Sequence, residues 1–152
     1  MTKTEEQRDS VIMALRDFFI RNAGIFKVEM AFLYGSWARG LPRGDSDIDV
    51  AVVFSGETLS EVELFKRIAD LSYVLWRELK KEVNVLNIRS DFRKPMLYYN
   101  AVVLGLPIYV KDEGRYFVLR NEAIYHMEDF SIFGLRWQYE VARRNLEAIK
   151  HA

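Results

Sequence analysis

The chain of 152 residues has no cysteine, which excludes disulfides, thiolate catalysis and cysteine-ligated zinc. It has no excess of either charge: 22 basic residues balance 22 acidic ones. A protein that tracks a DNA or RNA backbone draws most of its affinity from neutralising phosphates, so a long nucleic acid is not the expected substrate. Nowhere do about 18 uncharged apolar residues run together, and Met1-Thr2-Lys3-Thr4-Glu5-Glu6-Gln7 has no apolar signal core. The expectation is a cytoplasmic protein with no membrane partner. Repeats, linkers and low-complexity tracts are also missing. What remains is an ordinary globular composition, 50% hydrophobic and 29% charged, of a length that suits one domain over residues 1–152.

Periodicity orders the chain as helix, strand, strand, helix, strand, helix, strand, helix. Thr4 with Gln7 reads as a capping box, after which Val11, Leu15, Phe18, Phe19 and Asn22 recur at helical spacing until Gly24 ends the run. Residues 27–34 read as a strand entering the Gly35-Ser36 turn. A loop with Gly40, Pro42 and Gly44 leads to a second strand over residues 47–54. Ser60 with Glu63 caps a second helix that ends near Leu79. Residues 82–88 form a third strand, residues 91–104 a short helix with Pro95 in its first turn, and residues 106–110 a fourth strand. From Glu113 to Lys150 the pattern is helical with an aromatic stripe, a C-terminal extension over residues 113–152 in which Gly134 is a candidate bend. Strands interleaved with amphipathic helices predict an α/β (α+β) fold, a mixed sheet flanked by helices. The short link between the first two strands suits an antiparallel pair.

The chemistry concentrates at the head of the second strand. Asp47 and Asp49 precede and interrupt an apolar run, and side chains two apart on a strand share a face, with Cα atoms about 6.6 Å apart. Carboxylates in that setting need a partner. Two hard oxygen ligands with positions left for water and phosphate suit Mg²⁺, and such an arrangement serves in-line phosphoryl displacement. Gly35 lets backbone approach a phosphate closely, Ser36 adds a hydroxyl and a backbone N–H, and Arg39 could meet triphosphate charge. Arg43 is a weaker candidate in the same loop, and Asp45 reads as a turn cap.

The stretch Gly35-Ser36-Trp37-Ala38-Arg39-Gly40, followed by Asp47-Ile48-Asp49, resembles the Gly-Ser, ten residues, Asp-x-Asp signature of the polymerase-β-like nucleotidyltransferase superfamily, with the spacing intact. Chain length narrows the resemblance to the minimal nucleotidyltransferases, and the likeness in element order spans residues 8–110. Many of these are antitoxins paired with a small helical HEPN toxin. The resemblance implies Mg²⁺ as cofactor, ATP as substrate, and transfer of AMP to a tyrosine or other hydroxyl of such a toxin. It also implies Asp47 and Asp49 as metal ligands and Gly35, Ser36 and Arg39 as nucleotide-binding residues. The family generally supplies a third acid from a later strand, where this chain places Asn84. An amide brings no charge and is a poor general base. Glu82 shares that strand face but lies about 6.6 Å too far back.

Asn84 opens an alternative, an antitoxin that neutralises its toxin by binding alone. Small-molecule modification ranks last, since its acceptor pocket would require a dimer in so short a chain. Arg120 and His126 match the Arg-x(4–6)-His pattern of HEPN toxins, but a HEPN domain is a helical bundle of its own, so they read more simply as docking-helix residues. The aromatic stripe reads first as packing against the sheet; Phe130, Phe133, Arg136 and Trp137 are candidates for a toxin surface or for self-association, and homo-oligomerisation is left open.

Overall fold

The computed structural model describes residues 2–40, 46–56, 59–89 and 94–151. Its elements are α1 (Lys3–Phe26), β1 (Val28–Tyr34), β2 (Ile48–Phe54), α2 (Glu61–Leu79), β3 (Val83–Asn87), α3 (Pro95–Val102), β4 (Leu106–Val110) and α4 (Glu113–Lys150), in the expected order. Arg43, Asp45 and the expected start of the third helix at residue 91 lie outside the described residues.

The strands form a mixed sheet of order β3-β2-β1-β4, in which β1 pairs antiparallel with β2 and β4, and β2 pairs parallel with β3. Alternation along β2 sorts its side chains between two cores. Ile48, Val50 and Val52 face α1 and α2, where Leu15, Phe18, Phe19, Leu71 and Leu75 are buried with them. Ala51 faces α3 and the start of α4, in a core with Met30, Phe32, Ile88, Tyr98, Ala101, Val102 and Ala123. In β1 the register shifts between Val28 and Met30, so Val28, Ala31 and Leu33 all reach the first core despite the change of parity.

Two helix boundaries differ from the sequence reading. The capping box of α1 is Thr2 with Glu5, two residues before the expected Thr4 and Gln7. The Thr2 hydroxyl accepts from the Glu5 N–H at 3.1 Å and the Glu5 carboxylate accepts from the Thr2 N–H at 2.8 Å. Gly24 does not stop α1, which runs on to Phe26 and closes on Lys27 in the left-handed region at φ 55°. Buried Ala23 and the packing of Phe26 on Phe18 outweigh the roughly 1 kcal/mol that an interior glycine costs. The Ser60–Glu63 box and the end of α2 at Leu79 are as expected.

α4 is continuous through Gly134 for 38 residues. Its hold on the body is confined to its first turns, where Tyr116 stacks on Phe32 at 5.8 Å and Leu119 and Ala123 join the second core. Most of the aromatic stripe is exposed, which corrects the expectation that it packs on the sheet; α3 lies against the sheet and α4 packs chiefly on α3. Among the described residues no helix is long and apolar enough to cross a membrane. Gly105 lets α3 turn into β4 at close quarters: a Cβ there would lie 2.1 Å from the Ala101 carbonyl oxygen and 2.8 Å from that of Leu33.

Candidate active site

Sheet register carries three polar side chains to one place. Tyr34 of β1 stands opposite Asp49 of β2, and Asp49 stands opposite Asn84 of β3, so the three form a row across the sheet. Because Ile48 and Val50 are committed to the first core, Asp49 must point to the other face, the one that carries Ala51. Asp47, just before β2, is exposed, and the Asn84 amide spans both acids. Its Nδ2 donates to Asp49 Oδ1 at 3.2 Å and to Asp47 Oδ2 at 3.5 Å. β3 is itself held in place by the Ser72 hydroxyl, which donates to the Val83 carbonyl at 2.7 Å, and by the Ile48 N–H, which donates to that of Glu82 at 2.9 Å.

The Gly35-Ser36 turn closes over the row from β1. Gly35 takes φ 75°, and a Cβ on it would sit 2.6 Å from Asp49 Oδ2. The carboxylate thus occupies the space that a side chain would need. A turn of helix-like backbone follows, with the Arg39 N–H donating to the Gly35 carbonyl at 3.2 Å; the Arg39 side chain is exposed and its Nε bends back to the same oxygen at 3.4 Å. Ser36 is half-buried at the start of this turn.

Two residues that the sequence reading did not single out hold the turn. Trp37 is wholly buried, and its indole N–H donates to the Ser46 carbonyl at 3.1 Å, which ties the turn to the residue just ahead of Asp47. Arg8 of α1 donates through Nε to the Trp37 carbonyl at 2.8 Å and through Nη2 to the Ala38 carbonyl at 2.9 Å. Lys81 lies over the outer face of the Trp37 ring, 5.4 Å from its centroid. Tyr34 is the third residue passed over. With Gly35, Arg39, Leu97, Asn100 and Leu104 it lines a cavity of about 250 Å³ beside the turn.

Burial raises the Asp49 carboxyl above its ordinary value; the Asn84 hydrogen bond opposes this and the charge of Asp47 adds to it. Tyr34 is pushed up to about 12, first by burial and then by the Asp49 charge, so its phenol stays protonated at neutral pH. Among the described residues no third carboxylate or imidazole joins the pair. The donor set still suits a hard divalent cation. Asp47 and Asp49 offer anionic oxygens on one side of the strand, the Asn84 amide can rotate to present its oxygen in place of its NH₂, and the open side admits water and phosphate.

The sequence profile of the polymerase beta nucleotidyltransferase family matches residues 15–114, a span that contains the turn, both acids and Asn84. This chain belongs to that family. No curated protein sequence matches it. Solved structures with the same fold include a toxin–antitoxin complex with AMP-PNP, at TM-score 0.64 and 19% identity, covering 83% of this chain and 97% of the other. A second is the tri-AMPylated Shewanella oneidensis HEPN toxin in complex with MNT antitoxin, at TM-score 0.58 and 20% identity, covering 91% and 98%. A third is the toxin–antitoxin MntA–HepT, at TM-score 0.58 and 20% identity, covering 90% and 97%.

Within the family fold, Arg120 and His126 fall on α4 outside the site, and His126 packs its ring against the edge of Tyr125. Glu82 lies one residue before β3.

Gly35→Ala is expected to lower the unfolding free energy by about 1 kcal/mol or more through the left-handed backbone and the displaced carboxylate. In a double-mutant cycle read by urea unfolding, Asp49→Ala should recover part of that loss; strict additivity would show that Gly35 and Asp49 do not meet. A second expectation concerns pH. Because the folded Asp49 carboxyl is raised, its contribution to stability is complete below the ordinary 3.8 and is lost as pH rises through the raised folded value. Asp49→Asn, which keeps the neutral shape, should therefore be more stable than wild type at neutral pH, with the gap closing as pH falls. Thermal unfolding across pH reads this, and a variant less stable at neutral pH contradicts it.

Proposed function

We propose that this protein is a Mg²⁺-dependent nucleotidyltransferase that moves AMP from ATP to a tyrosine or other hydroxyl of a cognate HEPN toxin, and so acts as an antitoxin. The reading rests on Asp49 lying against a Gly-Ser turn and joined to Asp47 through Asn84, in a chain of the nucleotidyltransferase family. Support for the partner comes from the fold shared with toxin–antitoxin complexes, one solved with AMP-PNP and one with a tri-AMPylated HEPN toxin.

Asp47 and Asp49 would hold the cation, which when bound neutralises phosphate charge and lowers the cost of activating the acceptor hydroxyl. The chain's own groups supply position. Backbone N–H groups at Gly35 and Ser36, with the Ser36 hydroxyl, suit the outer phosphates, and Arg39 can swing from the Gly35 carbonyl to meet their charge. The acceptor oxygen bonds to the α-phosphorus as the bond to pyrophosphate breaks, and the acceptor gives up its proton. Asn84 cannot take that proton, so Asp47 and Asp49 are the nearest carboxylates to receive it. What the amide does instead is bridge the two acids.

Asp47→Asn is expected to cut AMP transfer at least about 100-fold, as loss of a charge-stabilising group does, while the circular dichroism spectrum stays unchanged. The assay combines the protein, the toxin, ATP and Mg²⁺ and reads an AMP-sized mass gain on the toxin. Full turnover by Asp47→Asn would remove the mechanism. Complete neutralisation of the toxin without nucleotide would replace enzymatic control with binding alone.

A further inference from the structure

Beyond Met127 the helix α4 makes no contribution to either core, and from residue 128 to 150 every residue is exposed except Gly134 and Val141, which are intermediate. This segment extends for about 35 Å at 1.5 Å per residue. Helices in proteins owe most of their stability to packing of an apolar face, and this one leaves several large side chains in water. Ile132 is 55% exposed, Leu135 67%, Tyr139 68%, Leu146 59% and Ile149 73%.

These residues are not scattered. Ile132, Leu135, Tyr139, Ala142, Leu146 and Ile149 follow one another at steps of three, four, three, four and three, the a and d positions of successive heptads. The seam opens at Ile132, nine residues after Ala123; at 3.6 residues per turn that is half a turn out of phase with the buried contact, so the seam begins on the side away from the body. A partner can therefore engage it without displacing α4 from the sheet.

We propose that this seam pairs with the same seam of a second copy in a parallel two-stranded coiled coil. Flanking charge decides both the occupant and the direction. The e positions are Arg136, Arg143 and Lys150, and the g positions are Ser131, Gln138 and Asn145. An antiparallel pair would set e against e, with Arg143 near Arg143 of the other copy and Arg136 near Lys150, a row of like charges. A parallel pair sets g against e, so that Gln138 faces Arg143 and Asn145 faces Lys150 with no repulsion. Arg143 is already held on its own helix by Glu140 at 3.0 Å and Glu147 at 3.5 Å, which leaves Arg136 against Lys150 as the chief repulsion in an antiparallel pair, whereas the side-chain oxygens of Gln138 and Asn145 can accept from Arg143 and Lys150 of a second, parallel copy, so the seam is complementary to itself. Phe133 and Trp137 lie at b and f, off the seam. The pairing is independent of nucleotidyl transfer and stands whether or not the site is active.

Sedimentation equilibrium of the full chain tests it. The expected result is a mass that rises with concentration from 17.9 kDa towards twice that value. The double variant Leu135→Glu, Leu146→Glu changes only exposed side chains of the single chain, so it should stay monomeric with an unchanged circular dichroism spectrum. Since the chain has no cysteine of its own, Ile149→Cys gives a clean readout of direction: in the parallel pair the two introduced thiols meet and oxidise to a linked dimer, whereas the antiparallel arrangement places them at opposite ends. A wild type that is monomeric throughout, a dimer that survives the double variant, or an Ile149→Cys chain that does not cross-link would each overturn the proposal. So would a chain that stays monomeric alone and engages the seam only with a helical toxin.

Discussion

Two like charges at the head of a central strand are the constraint around which the rest of the site is arranged. Asp49 cannot turn towards α1 and α2, because Ile48 and Val50 fill that side, and its carboxylate instead occupies the space that a Cβ at Gly35 would need. It is left half-buried beside Asp47, with its carboxyl raised by burial and by its neighbour. Bringing anionic groups together without a counter-charge costs free energy, and proteins tolerate such sites where function uses them. Asn84 relieves part of the cost by donating one amide to both acids.

Support for this arrangement comes from remote parts of the chain. The buried Trp37 joins the Gly-Ser turn to Ser46, so the two halves of the motif, separated by ten residues, are fastened by one indole hydrogen bond. Arg8 extends the fastening to α1, which is anchored in the larger core by Leu15, Phe18 and Phe19. Packing and the site are therefore coupled. A change in α1 can disturb the turn without touching the acids.

Local signals made much of this legible before any coordinates. Ser60 with Glu63, Pro95 at the start of α3 and the β-branched run of β2 each specify their element by nearest-neighbour chemistry, and the spacing from Gly35-Ser36 to Asp47 carries the family resemblance. The placement of Asn84 beside the two acids was implied by the family resemblance, and the parallel register of β2 and β3 sets it opposite Asp49. Ambiguity entered where two local signals compete: Thr2-Glu5 and Thr4-Gln7 have the same spacing, and only the folded N-terminus selects the first. Tyr34, Trp37 and Arg8 stayed hidden because their roles depend on contacts across the sheet or between α1 and the turn, which no window of sequence contains. The stripe on α4 misled in another way, since apolar periodicity reports a face to be covered and not what covers it.

The most direct test of the central claim is a titration of the ¹⁵N-labelled protein with Mn²⁺ as a paramagnetic stand-in for Mg²⁺, in the presence of a non-hydrolysable ATP analogue, followed by amide NMR. The account predicts that signals from Gly35, Ser36, Asp47, Ile48, Asp49 and Asn84 broaden first and that Asp47→Asn abolishes the effect. Broadening centred elsewhere on the fold, or none at these residues, would contradict it.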